Sequence, residues 1–550
     1  NLKALFRPVA MMIPNYSMIG EIYLYSYGFT QARLLAEKLV TSLRLASEQL
    51  STQSHYDYGM RAVTTIIKVA GMLKKECPDL EEDLCVFEAI KKSNMPKFLE
   101  EDILLFKGIL SDLFPNIKET ENTKLRVKAN NLTLSRDYEE KVLQLYNIMK
   151  VKHGVIVLGN SVEGKTSLIK TLASTLCELE EEVTTAWINP KAVHIDHLYG
   201  VSDSLSYDWI DGILSHQIRS YAESTTLNKK WVVFDGPVDS NWIENMNTVL
   251  DDNKKLCLAS GEIIKLTSEM SVVFETESLD NASPATVSRC GMVYLESVVT
   301  WKAIFSSWLE NLPLAYQFEK FRVLIESLFG HFVDPCLEFV LQSETSVRVS
   351  KNWLVQSLIK LLEAMLLKSS FSKAKHNSDF KKAQKQNSKA QEFVLEEKAV
   401  GKLEQEEVFK MFLFALTWSL GGPLKEGARN SFLVLLEELY NSSSGDFEKV
   451  YQNPFKMFYN YQAKSWQPWK TYTQKNTLES YSIDSLFVPT EDTASCVFLM
   501  EKLLTKDCHV LLTGPTGTGK SLVCKRFVSE TLESSKFLQY TSTFSERISA

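Results

Sequence analysis

Val155-Ile156-Val157-Leu158-Gly159-Asn160-Ser161-Val162-Glu163-Gly164-Lys165-Thr166 is the stretch that decides the fold. Its four apolar residues read as a short buried strand. Gly159–Thr166 then fits G-x-x-x-x-G-K-[ST], and an amphipathic helix is expected over Thr166–Leu179. Strand, glycine-rich turn and helix in that order are the context in which such a pattern cradles phosphate. The N–H groups around Ser161–Lys165 can wrap a β-phosphate, and the helix start adds about half a positive charge. Lys165 would bridge β- and γ-phosphates and Thr166 would hold Mg²⁺.

The pattern occurs twice. Gly514-Pro515-Thr516-Gly517-Thr518-Gly519-Lys520-Ser521 matches it 355 residues later, fed by an expected strand Val510–Thr513. Ser521 would hold the metal there. An acidic residue precedes each loop by 22 positions, Asp137 before Gly159 and Asp492 before Gly514. A register kept over that distance implies an internal repeat the length of a whole nucleotide-binding module, and hence an array of ATP/ADP sites.

A phosphate loop needs a carboxylate on a neighbouring strand to fix its metal. Trp231-Val232-Val233-Phe234-Asp235 supplies it, with Asp235 at the strand end. A hydrolysing site would normally place a glutamate next, to polarise water, but the next residue is Gly236. Asp239 and Glu244 are expected to point elsewhere. Mg–ATP is therefore expected to bind and persist with little hydrolysis. Further strands read at Val183–Ile188, Ser271–Phe274 and Met292–Leu295, alternating with helices. That alternation predicts an α/β fold with a mostly parallel sheet covered on both faces. In Ser283-Pro284-Ala285-Thr286-Val287-Ser288-Arg289-Cys290-Gly291, Arg289 stands at a module edge. It is placed either as a surface ion-pair residue or as a finger reaching a neighbour's γ-phosphate.

The rest of the chain bounds this reading. A net charge of −7 and a pI near 5.8 over 550 residues argue against a general nucleic-acid binder. Nine scattered cysteines form no C-x-x-C pair, which fits a reducing compartment rather than a disulfide or zinc framework. No apolar run approaches the ~18 residues of a membrane helix; the richest, Met411–Leu420, reads as a buried helix. Residues 15–120 and 300–440 are helical in pattern. Ser135 is a candidate helix cap, and Phe455–Tyr472 is an aromatic β-hairpin connector. Lys368–Lys402, rich in Lys, Ser, Gln and Asn, reads as a flexible surface insertion. The start at Asn1 and the end 29 residues after Ser521 suggest a piece of something longer.

Four unusual strings, NLKALFRPVAMMIPNY at Asn1–Tyr16, HYDYGMRA at His55–Ala62, WVVFDGPVDSNWIENMNTVLDDNKKL at Trp231–Leu256 and SPATVSRCGM at Ser283–Met292, resemble the motor ring of dynein heavy chains among the AAA+ ATPases. Leu256–Leu266 and Asn94–Leu99 look more axonemal than cytoplasmic. The resemblance implies tandem modules, each a parallel αβα sandwich followed by a helical lid. Residues 1–120 would end the first module, mainly its lid. Residues 121–300 would be the large α/β subdomain of the second and 301–450 its lid, with the insertion near 368–402. Residues 451–484 would be a connector, and 485–550 would start the third module. It further implies that Arg61 is a lid arginine sensing the first module's nucleotide. Arg289 would be the finger offered to that same hydrolytic site, and Arg7 the equivalent edge residue in a structural role. The second module would be a structural ATP site, and the Lys520 loop a regulatory one. Glu275 and Thr276 fall, by a loose match, where many AAA+ proteins place a polar sensor. The implied function is a minus-end-directed microtubule motor in the cytoskeleton, in the axoneme of cilia or flagella. Its partners would be microtubules, intermediate and light chains, and the neighbouring modules, with no nucleic acid and no membrane. An AAA+ protein-remodelling ring and a non-hydrolytic ATP-binding scaffold are the alternatives.

Overall fold

The computed structural model describes residues 7, 9, 11–115, 117, 136–203, 208–296, 299–312, 319–366, 405–442, 453–460, 463–473, 490–504, 508–528 and 539–542. The cap at Ser135, the insertion 368–402 and most of the string at Asn1–Tyr16 that precedes Met11 lie outside them. The chain forms two compact units, Asn1–Val299 and Thr300–Ile548.

The first unit opens with a bundle of α1 (Tyr16–Ser26), α2 (Ala32–Gln49), α3 (Met60–Glu76), α4 (Glu82–Asn94) and α5 (Glu100–Leu113). Steps of three and four set its core. Leu35, Ala36, Leu39, Leu43 and Ala46 of α2 meet Val63, Ile66, Ile67 and Ala70 of α3 and Val86, Ala89 and Ile90 of α4. The start of α2 has no cap of its own; the N–H groups of Thr30 and Gln31 donate to the Glu82 carboxylate at 2.9–3.0 Å. Gly71 is required by close approach, since a Cβ there would lie 2.4 Å from the Tyr27 ring.

The same unit continues through α6 (Arg136–Val151), β1 (Gly154–Gly159), α7 (Lys165–Glu178), β2 (Val183–Ile188) and α8 (Ile195–Tyr199). A hairpin β3 (Gly200–Ser202) and β4 (Trp209–Asp211), α9 (Ile213–Glu223), β5 (Lys229–Asp235), α10 (Ser240–Ile243) and α11 (Asn247–Leu250) follow. A second hairpin, β6 (Lys255–Cys257) and β7 (Ile263–Lys265), leads to β8 (Met270–Thr276), α12 (Pro284–Arg289) and β9 (Gly291–Leu295). Five strands pair in parallel in the order β2-β5-β8-β1-β9. Strand alternation splits the core in two. Val155, Val157, Trp231, Val233, Val273 and Val293 pack under α6 and α7. Ile156, Leu158, Val232, Phe234, Val272 and Phe274 pack against Leu198, Leu214, Ile218, Trp242 and Ile243 on the other face. The five expected strands are all present. The two hairpins were not anticipated; each interrupts the strand–helix alternation with only three residues per strand.

The second unit is helical: Trp301–Glu310, Glu319–Gln342, Lys351–Leu366, Gln405–Leu416 with a π turn at Thr417–Gly421, and Glu426–Ser442. The expected aromatic hairpin is there, Met457–Asn460 paired antiparallel with Ser465–Pro468. Its aromatics are core rather than mere connector. Trp469 is 1% exposed, donates Nε1–H to the Phe455 carbonyl at 2.9 Å and stacks on Phe458. The helix Glu491–Leu504 adds Phe498 to that cluster. One expectation fails: Val510–Thr513 forms no ladder among the described residues, and Leu511 is 85% exposed. A parallel strand exists only through its neighbours, and none of the described strands pairs with it.

Candidate nucleotide sites and the arginine edge

β1 lies between β8 and β9, where the order of strands along the sheet reverses relative to the chain. Crevices at such points, beyond the carboxyl ends of parallel strands, are where α/β sheets bind ligands. The Gly159–Thr166 loop fills that position. Gly159 must be glycine because a Cβ would sit 2.7 Å from the Leu295 carbonyl. Gly164 takes φ +88° and caps α7, which starts at Lys165. Val162 adopts φ +65°, left-handed, at the place where the second loop has Gly517 with φ +88°.

Lys165 is 8% exposed and donates to the carbonyls of Gly159 and Asn160, both at 2.8 Å. Lys520 repeats this posture on Gly514 and Pro515 at 2.8 and 2.7 Å. Both lysines are thus folded over their own loops. In the second loop the Thr518 hydroxyl donates to the Pro515 carbonyl at 2.9 Å, and Gly519 caps the short helix Lys520–Arg526 at φ +79°.

Acids crowd the first loop. Glu163 accepts from the Asn160 N–H at 2.9 Å and from its side-chain amide at 3.1 Å. The Ser161 hydroxyl donates to Glu277, and the Thr166 hydroxyl donates to Glu275 Oε1 at 2.6 Å. Asp235, exposed at the end of β5, is the register partner of Glu275 on β8. Burial pushes the Glu275 carboxyl above its ordinary range; the Thr166 hydrogen bond opposes this and the Asp235 charge adds to it. Thr166 Oγ1, Asp235 and Glu275 are hard oxygen donors, the set that suits Mg²⁺. Gly236 follows Asp235 and its N–H is tied to the Glu275 carbonyl. As expected, Asp239 turns away, capping α10 through the Asn241 N–H, and Glu244 starts a short 3₁₀ turn.

Arg289 ends α12 and is held by its own subdomain. Nε donates to Asp251 Oδ1 at 2.6 Å, Nη2 to Asp251 Oδ2 at 3.4 Å and Nη1 to the Ala285 carbonyl at 2.7 Å, leaving the side chain 16% exposed. Arg61 of α3 meets the same edge, donating to Ser288 Oγ at 2.7 Å. Lys68, two turns along α3, pairs with Asp252. The lid-type bundle and the sheet subdomain are therefore stitched at the two residues flanking the arginine and its carboxylate. His55 adds to this seam, stacked on Tyr294 of β9 and hydrogen-bonded to the Lys97 carbonyl at 2.9 Å. The string His55–Ala62, unusual in sequence, lies on this seam, where His55, Asp57 and Ala62 line a cavity together with Lys152, Ser288 and Gly291. Arg7 is exposed. Sequence reasoning missed Asp251 altogether. The pair Asp251-Asp252 after an apolar turn reads as a solvated helix end, and only the fold brings it beside Arg289.

Among the described residues no helix is long and apolar enough to cross a membrane, and no cluster of three or more His, Cys, Asp or Glu side chains is placed to hold a metal by itself. Four family models match in succession. They are the hydrolytic ATP binding site of dynein motor region over 1–166, the AAA domain of the dynein-related subfamily over 154–290, the dynein heavy chain AAA lid domain over 325–471 and the P-loop containing dynein motor region over 476–550. Mouse dynein axonemal heavy chain 1 is 40% identical over all of this chain and 13% of its own length. Human dynein axonemal heavy chain 3 is 38% identical over all of this chain and 14% of its own. For human dynein axonemal heavy chain 12 the identity is 39%, over all of this chain and 18% of its own. The chain thus spans less than a fifth of the relatives it matches. With a parallel sheet, phosphate loop and helical lids in this sequence of models, the chain belongs to the dynein heavy chain motor region, built of tandem AAA+ modules.

Proposed function

We propose that this chain is part of an ATP-driven microtubule motor of the axoneme, and that its own Lys165 loop is a nucleotide-holding site rather than a turnover site. The observation that carries the first half is the unbroken similarity of the whole chain to axonemal dynein heavy chains. The second half rests on Gly236, which leaves the strand end beside Asp235 without a carboxylate to polarise water. Residues 159–166 and Asp235 hold ATP or ADP, with Thr166 and Asp235 toward Mg²⁺. Residues 514–521 form a second site, with Ser521 toward its metal. Mg²⁺ neutralises phosphate charge when bound; the chain's part is to orient the phosphates on the loop amides and Lys165.

In this reading residues 1–120 are mainly the lid of a first module, 121–300 and 301–450 the second module, 451–484 a connector and 485–550 the start of a third. Arg61 and Arg289 act on the nucleotide of the first module. The contact of α3 with the end of α12 supports this, since it gathers both arginines at one edge. Microtubules, intermediate and light chains and the ciliary or flagellar cytoskeleton are the partners and place that follow.

The test is a comparison in the motor heavy chain that carries this sequence. Arg289→Ala is expected to lower microtubule-stimulated ATPase at least 100-fold, and Asp235→Ala less than 10-fold. Equal losses, or the reverse order, would remove the finger assignment. The 550-residue chain itself should retain Mg–ATP while releasing phosphate slowly, and brisk turnover abolished by Lys165→Ala would contradict the reading of Gly236.

A further inference from the structure

We propose that Glu275 is a third divalent-cation ligand of the Lys165 site, beside Thr166 and Asp235, and that this site therefore takes nucleotide only as its metal complex. The inference rests on the nucleotide reading of that loop and deepens it.

Three observations converge. Glu275 is 7% exposed, and its Oε2 is buried with no hydrogen-bond partner. A buried carboxylate oxygen left unpaired is costly, and a cation at this oxygen offsets that cost. The other oxygen of that carboxyl already receives the Thr166 hydroxyl at 2.6 Å, at the side chain that faces the metal in a phosphate loop. The ladder register sets Asp235 directly across from Glu275 on the adjacent parallel strand, so two carboxylates stand side by side at the end of the sheet where Thr166 meets it.

Charge decides what such a site admits. Around the loop stand Glu163, Asp235, Glu275 and Glu277, against Lys165 within it and Lys170 further along α7. A bare triphosphate carries the same sign as these carboxylates. A carboxylate at Glu275's position repels an approaching phosphate unless a cation lies between them. Mg²⁺ typically takes one or two carboxylates together with phosphate oxygens, which is the set Asp235 and Glu275 offer. A neutral polar side chain at this position would contact phosphate directly; the acid reaches it through metal. The acid missing after Asp235 is thus not replaced as a water-activating group. Glu275 is committed to Thr166 and to the cation.

The experiment uses the 550-residue chain with Lys520→Ala, which silences the second loop. Mn²⁺ serves as the probe ion and N-methylanthraniloyl-ADP as the nucleotide. Electron paramagnetic resonance reads Mn²⁺ affinity of the ternary complex, and fluorescence reads nucleotide affinity with and without EDTA. Expected is strong binding with Mn²⁺, loss of at least tenfold in nucleotide affinity in EDTA, and a 10–100-fold loss of Mn²⁺ affinity in Glu275→Gln. Glu275→Gln keeps the shape of the side chain and an oxygen for Thr166. A thermal-shift arm needs no change at position 275: ADP in EDTA should give no stabilisation and Mn²⁺·ADP a clear one. Equal stabilisation in both, or unchanged Mn²⁺ affinity in Glu275→Gln, overturns the inference while leaving the nucleotide site standing. Absence of any nucleotide signal that Lys165→Ala removes overturns the site and the inference together.

Discussion

Val162 shows what a single residue costs in a loop otherwise set by glycine. Its φ of +65° is a left-handed conformation that a β-branched side chain adopts at a penalty of about 1–2 kcal/mol. The second loop spends a glycine at the matching place, Gly517. Glycine would remove the strain but raise the entropy of the unfolded chain by roughly 0.5–1 kcal/mol. Val162→Gly is therefore expected to leave stability unchanged or raise it by up to about 1 kcal/mol, with Mg–nucleotide binding kept. Thermal unfolding and a nucleotide titration check this; a clear fall in melting temperature would show that the valine side chain contributes packing worth more than the strain. The same loop explains what was legible in sequence. The glycines of the G-x-x-x-x-G-K-[ST] pattern answer backbone demands and its Lys-Thr pair side-chain ones, all within eight residues, so local sequence alone exposes it. Glu277 and Asp251 are tied to Ser161 and Arg289 by tertiary folding, and nothing local marks them.

At the scale of elements, apolar pattern carried both the strands, of which β1, β5 and β8 are buried on both faces, and the long helices, which bury one face against a continuous core. It failed where an element exists only through its neighbours, as with Val510–Thr513, or is too short to show a period, as with the hairpins β3/β4 and β6/β7. Helix termini show a similar dependence. The α2 start relies on Glu82, which is remote in sequence and belongs to α4. Burial pushes the Glu82 carboxyl up, but the N–H groups of Gln31 and Thr30 and the Lys74 ammonium outweigh it and hold it down to about 2, against 4.5 ordinarily. A carboxyl depressed by folding stabilises fully above its unfolded value, and that contribution is lost as pH falls from 4.5 toward 2. Glu82→Gln should cost about 1–2 kcal/mol at pH 7. Urea unfolding at pH 7, 5 and 3 should show the gap between variant and parent closing over the acid range. A gap independent of pH would mean the loss is one of shape, not charge.

At the scale of the molecule, the first compact unit joins a helical bundle to the sheet subdomain through a narrow set of polar and aromatic contacts, and that seam is where nucleotide state could be read as shape. Arg61–Ser288, Lys68–Asp252 and His55 on Tyr294 all cross it. Burial lowers the His55 pKa below 6.5, opposed by the hydrogen bond to the Lys97 carbonyl; Lys97 itself lowers it further and Asp102 raises it. The unfolded chain therefore takes up this proton first, and the stability that neutral His55 confers is present above pH 6.5 and falls as pH drops below it. Lys97 does not confuse that window. Burial brings its ammonium down to about 8, so it is charged in both states below that value and alters the balance only above it. Half-buried His153, held by the Val249 carbonyl, is shifted in the same direction but lies in the sheet subdomain and reaches α3 only through Asp252, the partner of Lys68. Two substitutions separate them. Hydrogen exchange corrected for intrinsic rates should show α3 and the segment 284–291 losing protection together between pH 7.5 and pH 5.5. His55→Phe, which keeps a ring against Tyr294 without a titrating nitrogen, should reduce that shared loss more than His153→Phe, which touches α3 only by way of Asp252 and Lys68. If α3 and 284–291 respond to pH independently, the seam does not transmit, and the arginines it gathers are neighbours without being coupled.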